Sequence, residues 1–429
     1  MFHCIAAFMI ERYNIPIHIS LETIPIYKRL DVNFNSWIIL PIGVFSIYIF
    51  LLRSVLQSEC PIPLPVLIAL FIGLKVLIDV SVTMINGEFL PPGIQEYIND
   101  VPNFSSLGDI LHNYASKART LTRHAGTHPP GAVLTLWLAT RLFSYSNMVK
   151  VFLIIFSAPL TLIPLYLVAQ QLYDRKIATY TLAFYLVTPN IVIYTATCMD
   201  AFFSLSLVSS TYLIFYSIKK KTAILAVLTG FLLSVSMFLT FATTFLGIYF
   251  IVLTVVTYLK NREEFKSHVI VLTVSGGTFC LIYLIMYWMA GYNILTNLHM
   301  AMEVDQSGIG TGYESPVRYF LVSGTNLFGF FSMIGITTTT LWLRELGHAT
   351  QNLLKNKKFS IFLITYVVAL IPMVFSTLYL TETERIWLFM APFVLIPAAK
   401  NLKKYIDEKQ SNWMFYMVIV IAVHSNIGF

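Results

Sequence analysis

Apolar runs long enough to cross a bilayer recur along almost the whole chain, near 37–53, 62–85, 149–172, 177–197, 200–218, 222–239, 241–259, 268–290, 319–343, 359–380, 386–400 and 412–428. A hydrocarbon core about 30 Å thick takes about 20 mainly apolar residues per helix. Only helices satisfy their own backbone over stretches so long and continuous, and barrel strands are shorter and alternate. The pattern therefore predicts an all-α polytopic membrane protein with about 11 to 13 membrane helices. A further apolar stretch at 131–143 is short and carries Arg141, so it is expected to be half-membrane or re-entrant rather than a full span. Two polar intervals interrupt the pattern. The longer, Asn86 to Gly131, reads NGEFLPPGIQEYINDVPNFSSLGDILHNYASKARTLTRHAGTHPPG, and the other covers 291–318. The organisation expected is an N-terminal segment with one membrane helix (1–61), a core module holding the loop 86–131 (62–260), and a C-terminal set of helices with the second loop (261–429). No linker-like stretch or clear internal repeat separates them.

Composition agrees with the periodicity, since 57% of the 429 residues are hydrophobic and 11% charged, against about 25% charged in soluble domains. The net charge of +7 does not point to nucleic acid. Its basic residues sit in short clusters between apolar runs: Arg175-Lys176, Lys219 to Lys221, Lys260 to Lys266, Arg344 to Lys358 and Lys400 to Lys404. The positive-inside bias places these in the cytoplasm and puts 86–131, Asp200, 291–318 and 382–385 on the opposite face. The four cysteines, Cys4, Cys60, Cys198 and Cys280, show neither metal-ligand spacing nor a disulfide framework. The opening MFHCIAAFMIERYN lacks a basic region before its apolar run and makes a poor signal peptide, so insertion through the first spans is expected.

Chemistry has few places to sit in such a chain. The long loop carries Glu88, Glu96, Asp100 and Asp109. If Glu96 and Asp100 lie on a helix, their spacing puts both carboxylates on one face, at the membrane surface, where either is a candidate general base for an acceptor hydroxyl or simply a solvated charge. Farther along the loop, His124 precedes Thr127-His128-Pro129-Pro130-Gly131. Two prolines fix the backbone ahead of a helix start, holding His128 rigidly as a ligand for a phosphate or sugar hydroxyl, or as an incidental neighbour of the helix start. Asp200 joins two apolar runs, either facing a polar cavity or capping the next helix. Glu382, Glu384 and Arg385 form a polar turn whose arginine suits bidentate phosphate binding. Lys75 and Asp79, four apart within one span, are expected to pair in the bundle interior. Glu303, Asp305, Tyr313, Glu314 and Arg318 mark the second loop as a candidate lid or acceptor wall.

Taken in order, the acidic loop after an early span, THPPG opening a helix, Pro189 followed by Asp200, and Glu384-Arg385-Ile386-Trp387 near the end resemble the GT-C superfamily of integral membrane glycosyltransferases. The nearest branch contains the protein O-mannosyltransferases and the aminoarabinose transferases of lipid A, and the resemblance covers about 62–400. It implies an enzyme that uses a polyprenyl-phosphate-linked sugar, works on the non-cytoplasmic face of the cell membrane and inverts the anomeric carbon. Its acceptor would be a lipid, glycan or protein, with no metal or cofactor. By the same resemblance Asp100, or alternatively Glu96, is the catalytic base. His128, His124, Asp200, Arg385 and Glu384 would line the donor and phosphate site. The sequence departs from the family pattern in having Asn99 before Asp100 instead of a closely paired acidic motif. A carrier or flippase for a lipid-linked glycan is the alternative.

Overall fold

The computed structural model describes residues 36–57, 62–84, 96–195, 198–260, 262–355, 357–376, 379, 382–409 and 419. Glu88 and the apolar run at 412–428 lie outside this set, apart from residue 419. Among the described residues the chain is helical with no strand. In order the helices are α1 Ile39–Gln57, α2 Leu64–Thr83, α3 Leu107–Lys117, α4 Arg123–Gly126, α5 Gly131–Phe143, α6 Asn147–Ser157, α7 Leu162–Leu172, α8 Arg175–Val187, α9 Pro189–Thr195 and α10 Met199–Lys220. They continue as α11 Ala223–Leu239, α12 Thr243–Lys260, α13 Arg262–Ala290, α14 Ile294–Ile309, α15 Pro316–Ile334, α16 Ile336–Leu354, α17 Ile361–Phe375, α18 Thr383–Ile386 and α19 Ala391–Lys409.

Among the described residues six helical segments are long and apolar enough to cross a membrane, or up to eight if the bent pairs α8–α9 and α15–α16 each count as one. Three shorter apolar helices, α5, α11 and α17, accompany them. The lining of the bundle follows from composition. Every residue of α8 from Ile177 to Val187 is buried, with the Thr179 and Thr181 hydroxyls donating back to the Arg175 and Ile177 carbonyls, and α8 packs against α7 and α19. By contrast α13 leaves Leu281, Ile285, Trp288 and Met289 exposed, as expected of a face toward lipid tails. Lys75 and Asp79 form the expected ion pair, fully buried in α2, and Lys75 also reaches the Ile191 carbonyl of α9.

The apolar run expected at 319–343 is not one straight helix. It breaks at Gly335, where α15 and α16 diverge by 110°. A second break, of 57°, falls between α8 and α9, where Pro189 removes a backbone donor. At each break a threonine hydroxyl covers a nearby carbonyl, Thr188 on Phe184 at 2.7 Å and Thr339 on Phe331 at 2.8 Å, since lipid offers no water to do so. The breaks touch, because a Cβ on Gly335 would stand 3.4 Å from the Pro189 ring.

The basic clusters gather at one end of the bundle. Lys403 pairs with Asp174 at 3.0 Å, Lys400 with Glu345 at 2.6 Å, and Lys260 lies over the Phe359 ring. The loop from Glu96 to Gly131, Asp200, α14 and α18 meet at the other. The 13 residues of α5 span about 20 Å, too little to cross. The one crossing between the loop and Arg175 is then the 25-residue segment Met148–Leu172, which supplies the odd number that opposite sides require.

Candidate active site

The site begins with how the long loop folds. The one-faced helix expected for Glu96 and Asp100 does not form. Residues Ile98–Asn103 make a 3-10 turn with Pro102 inside it, and Tyr97 adopts a positive φ of 63° at its start. The two carboxylates therefore diverge. Asp100, 2% exposed, accepts from the Thr122 backbone N–H at 2.9 Å and from the Thr122 hydroxyl. Thr122 is the N-cap of α4, so Asp100 fastens the short helix that carries His124. Tyr114 ties the same helix by donating to the Ala125 carbonyl at 2.9 Å.

Glu96 turns instead toward His124, its carboxylate meeting Nδ1 of the ring. The other ring nitrogen, Nε2, lies 2.6 Å from Nη2 of Arg385. A guanidinium only donates, so Nε2 accepts and the ring proton sits on Nδ1, facing Glu96. Arg385 comes from α18, 261 positions away in sequence. It also binds Glu382 at 2.6 Å and approaches Asp200 to 3.6 Å. Asp200 stands in the first turn of α10, where the helix dipole favours an acid, while Cys198 is the N-cap residue; the capping role is not the one it takes. One cation thus joins a histidine and two acids, with Glu96 behind the histidine.

The remaining predicted residues occupy different places. His128 does not touch Arg385 through a hydrogen bond; Thr127 Oγ1 is 3.2 Å from its Nδ1. Its ring lies edge-on to Tyr97 at 5.8 Å and tilted against Phe203 at 6.1 Å. Loss of water around it pulls its pKa down to about 4, which disfavours the cationic form. Glu384 is buried, and Asn190 of α9 holds its backbone carbonyl at 3.1 Å. Burial pushes the Glu384 carboxyl up to about 7. Two positions away, the half-exposed Glu382 meets the Arg385 guanidinium at 2.6 Å, which holds its carboxyl well below the usual range. Neighbouring acids are therefore set to opposite protonation tendencies, an arrangement common where proton transfer or anion binding occurs.

Sequence reasoning missed Lys150. It stands alone among apolar residues in NMVKVFLIIFS, a signal of the kind that singled out Lys75. Its ammonium donates to the Glu96 carbonyl at 2.9 Å and lies 5.8 Å from the centre of the Tyr97 ring. It missed Tyr97 as well, whose buried ring is the partition between the two histidines. In the second loop, Glu303 and Asp305 of α14 pair with Arg119 and Arg123 at 2.7 and 3.5 Å, pinning α14 over the acid loop. Among the described residues no three His, Cys, Asp or Glu side chains gather as a metal-binding group.

Residues 127–288 match the family model of the dolichyl-phosphate-mannose-protein mannosyltransferases. The fold is shared with the oligosaccharyltransferase of Archaeoglobus fulgidus. Its structure with zinc and sulfate gives a TM-score of 0.53 at 13% identity, covering 84% of this chain and 53% of that one. One with a disulfide-tethered acceptor peptide containing the NVT sequon gives 0.54 at 12%, over 84% and 54%. A third, AglB with an inhibitory peptide and a dolichol-phosphate, gives 0.54 at 12%, over 84% and 55%. The chain thus spans about half the length of these structures. No curated protein matches the sequence.

Proposed function

We propose, from the premise that this chain is a membrane glycosyltransferase of the GT-C superfamily, that it transfers a sugar from a polyprenyl-phosphate donor to a hydroxyl of a lipid, glycan or protein, with inversion and on the non-cytoplasmic face. The observation that carries the reading is the convergence of Arg385 with His124, Glu382 and Asp200 at one end of an apolar bundle. A guanidinium among ligands of which one, Glu382, is half exposed can exchange that carboxylate for a phosphate at little cost, since both are bidentate anions. The dolichol-phosphate held by the archaeal relative supports the same donor chemistry here.

The acceptor oxygen attacks the anomeric carbon as the bond from that carbon to the phosphate oxygen breaks. The bonding pair leaves on the polyprenyl phosphate, where Arg385 offsets the growing charge. The acceptor proton passes to a carboxylate. Glu96 is the better placed of the two candidates, because both Asp100 oxygens are engaged by Thr122 while the Glu96 carboxylate is about one-third exposed beside His124. Asp100 then acts by holding the loop, and Tyr97, His128 and Phe203 form the aromatic wall along which the sugar lies.

Glu96→Gln is expected to lower the transfer rate by about 10²–10⁴-fold with donor binding retained, whereas Asp100→Asn weakens donor binding and transfer together by loosening α4. A full loss of turnover in Asp100→Asn with unchanged binding would return the base to Asp100. The carrier alternative draws support from the two broken helices that touch at Pro189 and Gly335, a device of many transporters. Translocation of donor by purified protein in vesicles, unchanged in Glu96→Gln, would favour it.

A further inference from the structure

At the opposite end of the bundle a cavity of about 420 Å³ opens between Leu172 and Tyr173 at the end of α7, α16, the start of α17 and α19. It lies apart from Glu96, His124, Asp200 and Arg385, and nothing in the proposed transfer uses it. Its volume falls in the range of small-ligand pockets.

The polar side of the cavity is built for an anion. Lys400 and Lys358 both line it, against one carboxylate, Glu345. That carboxylate is buried and already held, by Lys400 at 2.6 Å and by Asn401 at 3.4 Å. An ammonium has three donors, so Lys400 has capacity beyond Glu345. The nearby Asp174 is engaged by Lys403. The first turn of α17, at Ile361 and Phe362, also lines the cavity, and the first amides of a helix have no intrahelical acceptor while the dipole there favours negative charge. Tyr173 and Ser360 share a hydrogen bond of 3.1 Å at its edge. Ammonium, amide and hydroxyl groups together match the several oxygens of a phosphate better than a single carboxylate.

The other side is apolar, with Leu172, Phe359 and Phe362 in the lining. A free inorganic anion would leave these groups in water, whereas an acyl-linked phosphate would cover them. Basic pockets between helices at the cytoplasmic surface are where anionic headgroups bind. We propose that this cavity binds the phosphate headgroup of an anionic membrane lipid, held between Lys358 and Lys400, with the first carbons of its chains against Phe359 and Leu172.

Native mass spectrometry of the full chain, released from micelles containing equal amounts of phosphatidylglycerol and phosphatidylcholine, tests this. The unaltered protein is expected to retain phosphatidylglycerol over phosphatidylcholine by about tenfold. Lys358→Glu should abolish that preference, and Lys358→Gln, a milder change at the same exposed side chain, should reduce it. Lys355→Glu, exposed and outside the cavity, should leave it intact. Equal retention of the two lipids, or an equal loss in Lys355→Glu, would overturn the assignment, as would displacement of phosphatidylglycerol by millimolar inorganic phosphate. Because the readout is lipid retention, it stands or falls separately from glycosyl transfer.

Discussion

Glu384 and Glu382 lie two residues apart, yet their surroundings drive them in opposite directions. Burial raises Glu384 from an ordinary 4.5 to about 7. A folded-state value above the unfolded one means that the stability carried by the neutral form is full below about 4.5 and is lost as pH rises through about 7. Thermal unfolding of Glu384→Gln in micelles should therefore match the unaltered protein near pH 4 and exceed it above pH 7, by on the order of 3 kcal/mol. Parallel curves from pH 4 to 8 would show that Glu384 does not titrate in this window. The sequence marked Glu384 as polar but could not show that it turns inward while Glu382 and Arg385 turn toward His124. Glu382 and Arg385, three apart, share one face while Glu384 falls on another, and the groups packed there, His124 on Arg385 and Asn190 on the Glu384 backbone carbonyl, are distant in sequence. Asp100 was legible for the same reason in reverse. Its acidity could be seen, but not the capping residue Thr122 that occupies it.

At the scale of the element, the instructive cases are the two breaks. Both fall inside runs that read as continuous spans, 177–197 and 319–343; a proline at 189 carries its own reason for a break, whereas Gly335 in GFFSMIGITT shows none. Its φ of +96° is open to glycine and costly for other residues. The nearest side-chain atom to a new Cβ is 3.4 Å away, so the penalty of a substitution is conformational more than steric. Gly335→Ala should lower stability by about 1–3 kcal/mol, read as a drop in melting temperature, and an unchanged melting temperature would show that α15 and α16 turn without needing this residue. The start of α5 shows a different limit on sequence reading. Pro129 and Pro130 announced the helix, but not that Gly131 lies directly against the α11 backbone, where a Cβ would come within 2.2 Å of the Phe238 carbonyl oxygen. Close backbone approach between helices depends on a partner that local patterning does not reveal.

For the whole molecule, the all-α membrane architecture was legible because the apolar period is strong and long, and the clustering of basic residues foretold which helix ends share a neighbourhood. Sidedness gives a direct test. In a background with the four native cysteines replaced by serine, Ser116→Cys in the long loop and Lys357→Cys at the basic end should react with a membrane-impermeant thiol reagent from opposite sides of sealed vesicles. Labelling of both from one side would undo the orientation read from the positive clusters. What local patterning could not convey was how Glu96, His124, Asp200 and Arg385 contact one another, since they come from three separate polar segments and only the packed bundle brings them together. That meeting also has a consequence in time. Arg385 is made 261 residues after His124, which at ribosomal rates is roughly tens of seconds. Once Asp200 has been made, the nascent chain holds Glu96, His124 and Asp200 but not yet the guanidinium that joins them. Under the proposed function, a chain stopped short of Arg385 keeps the acids of the site and lacks the guanidinium that binds them, and is expected to hold a phosphate donor poorly.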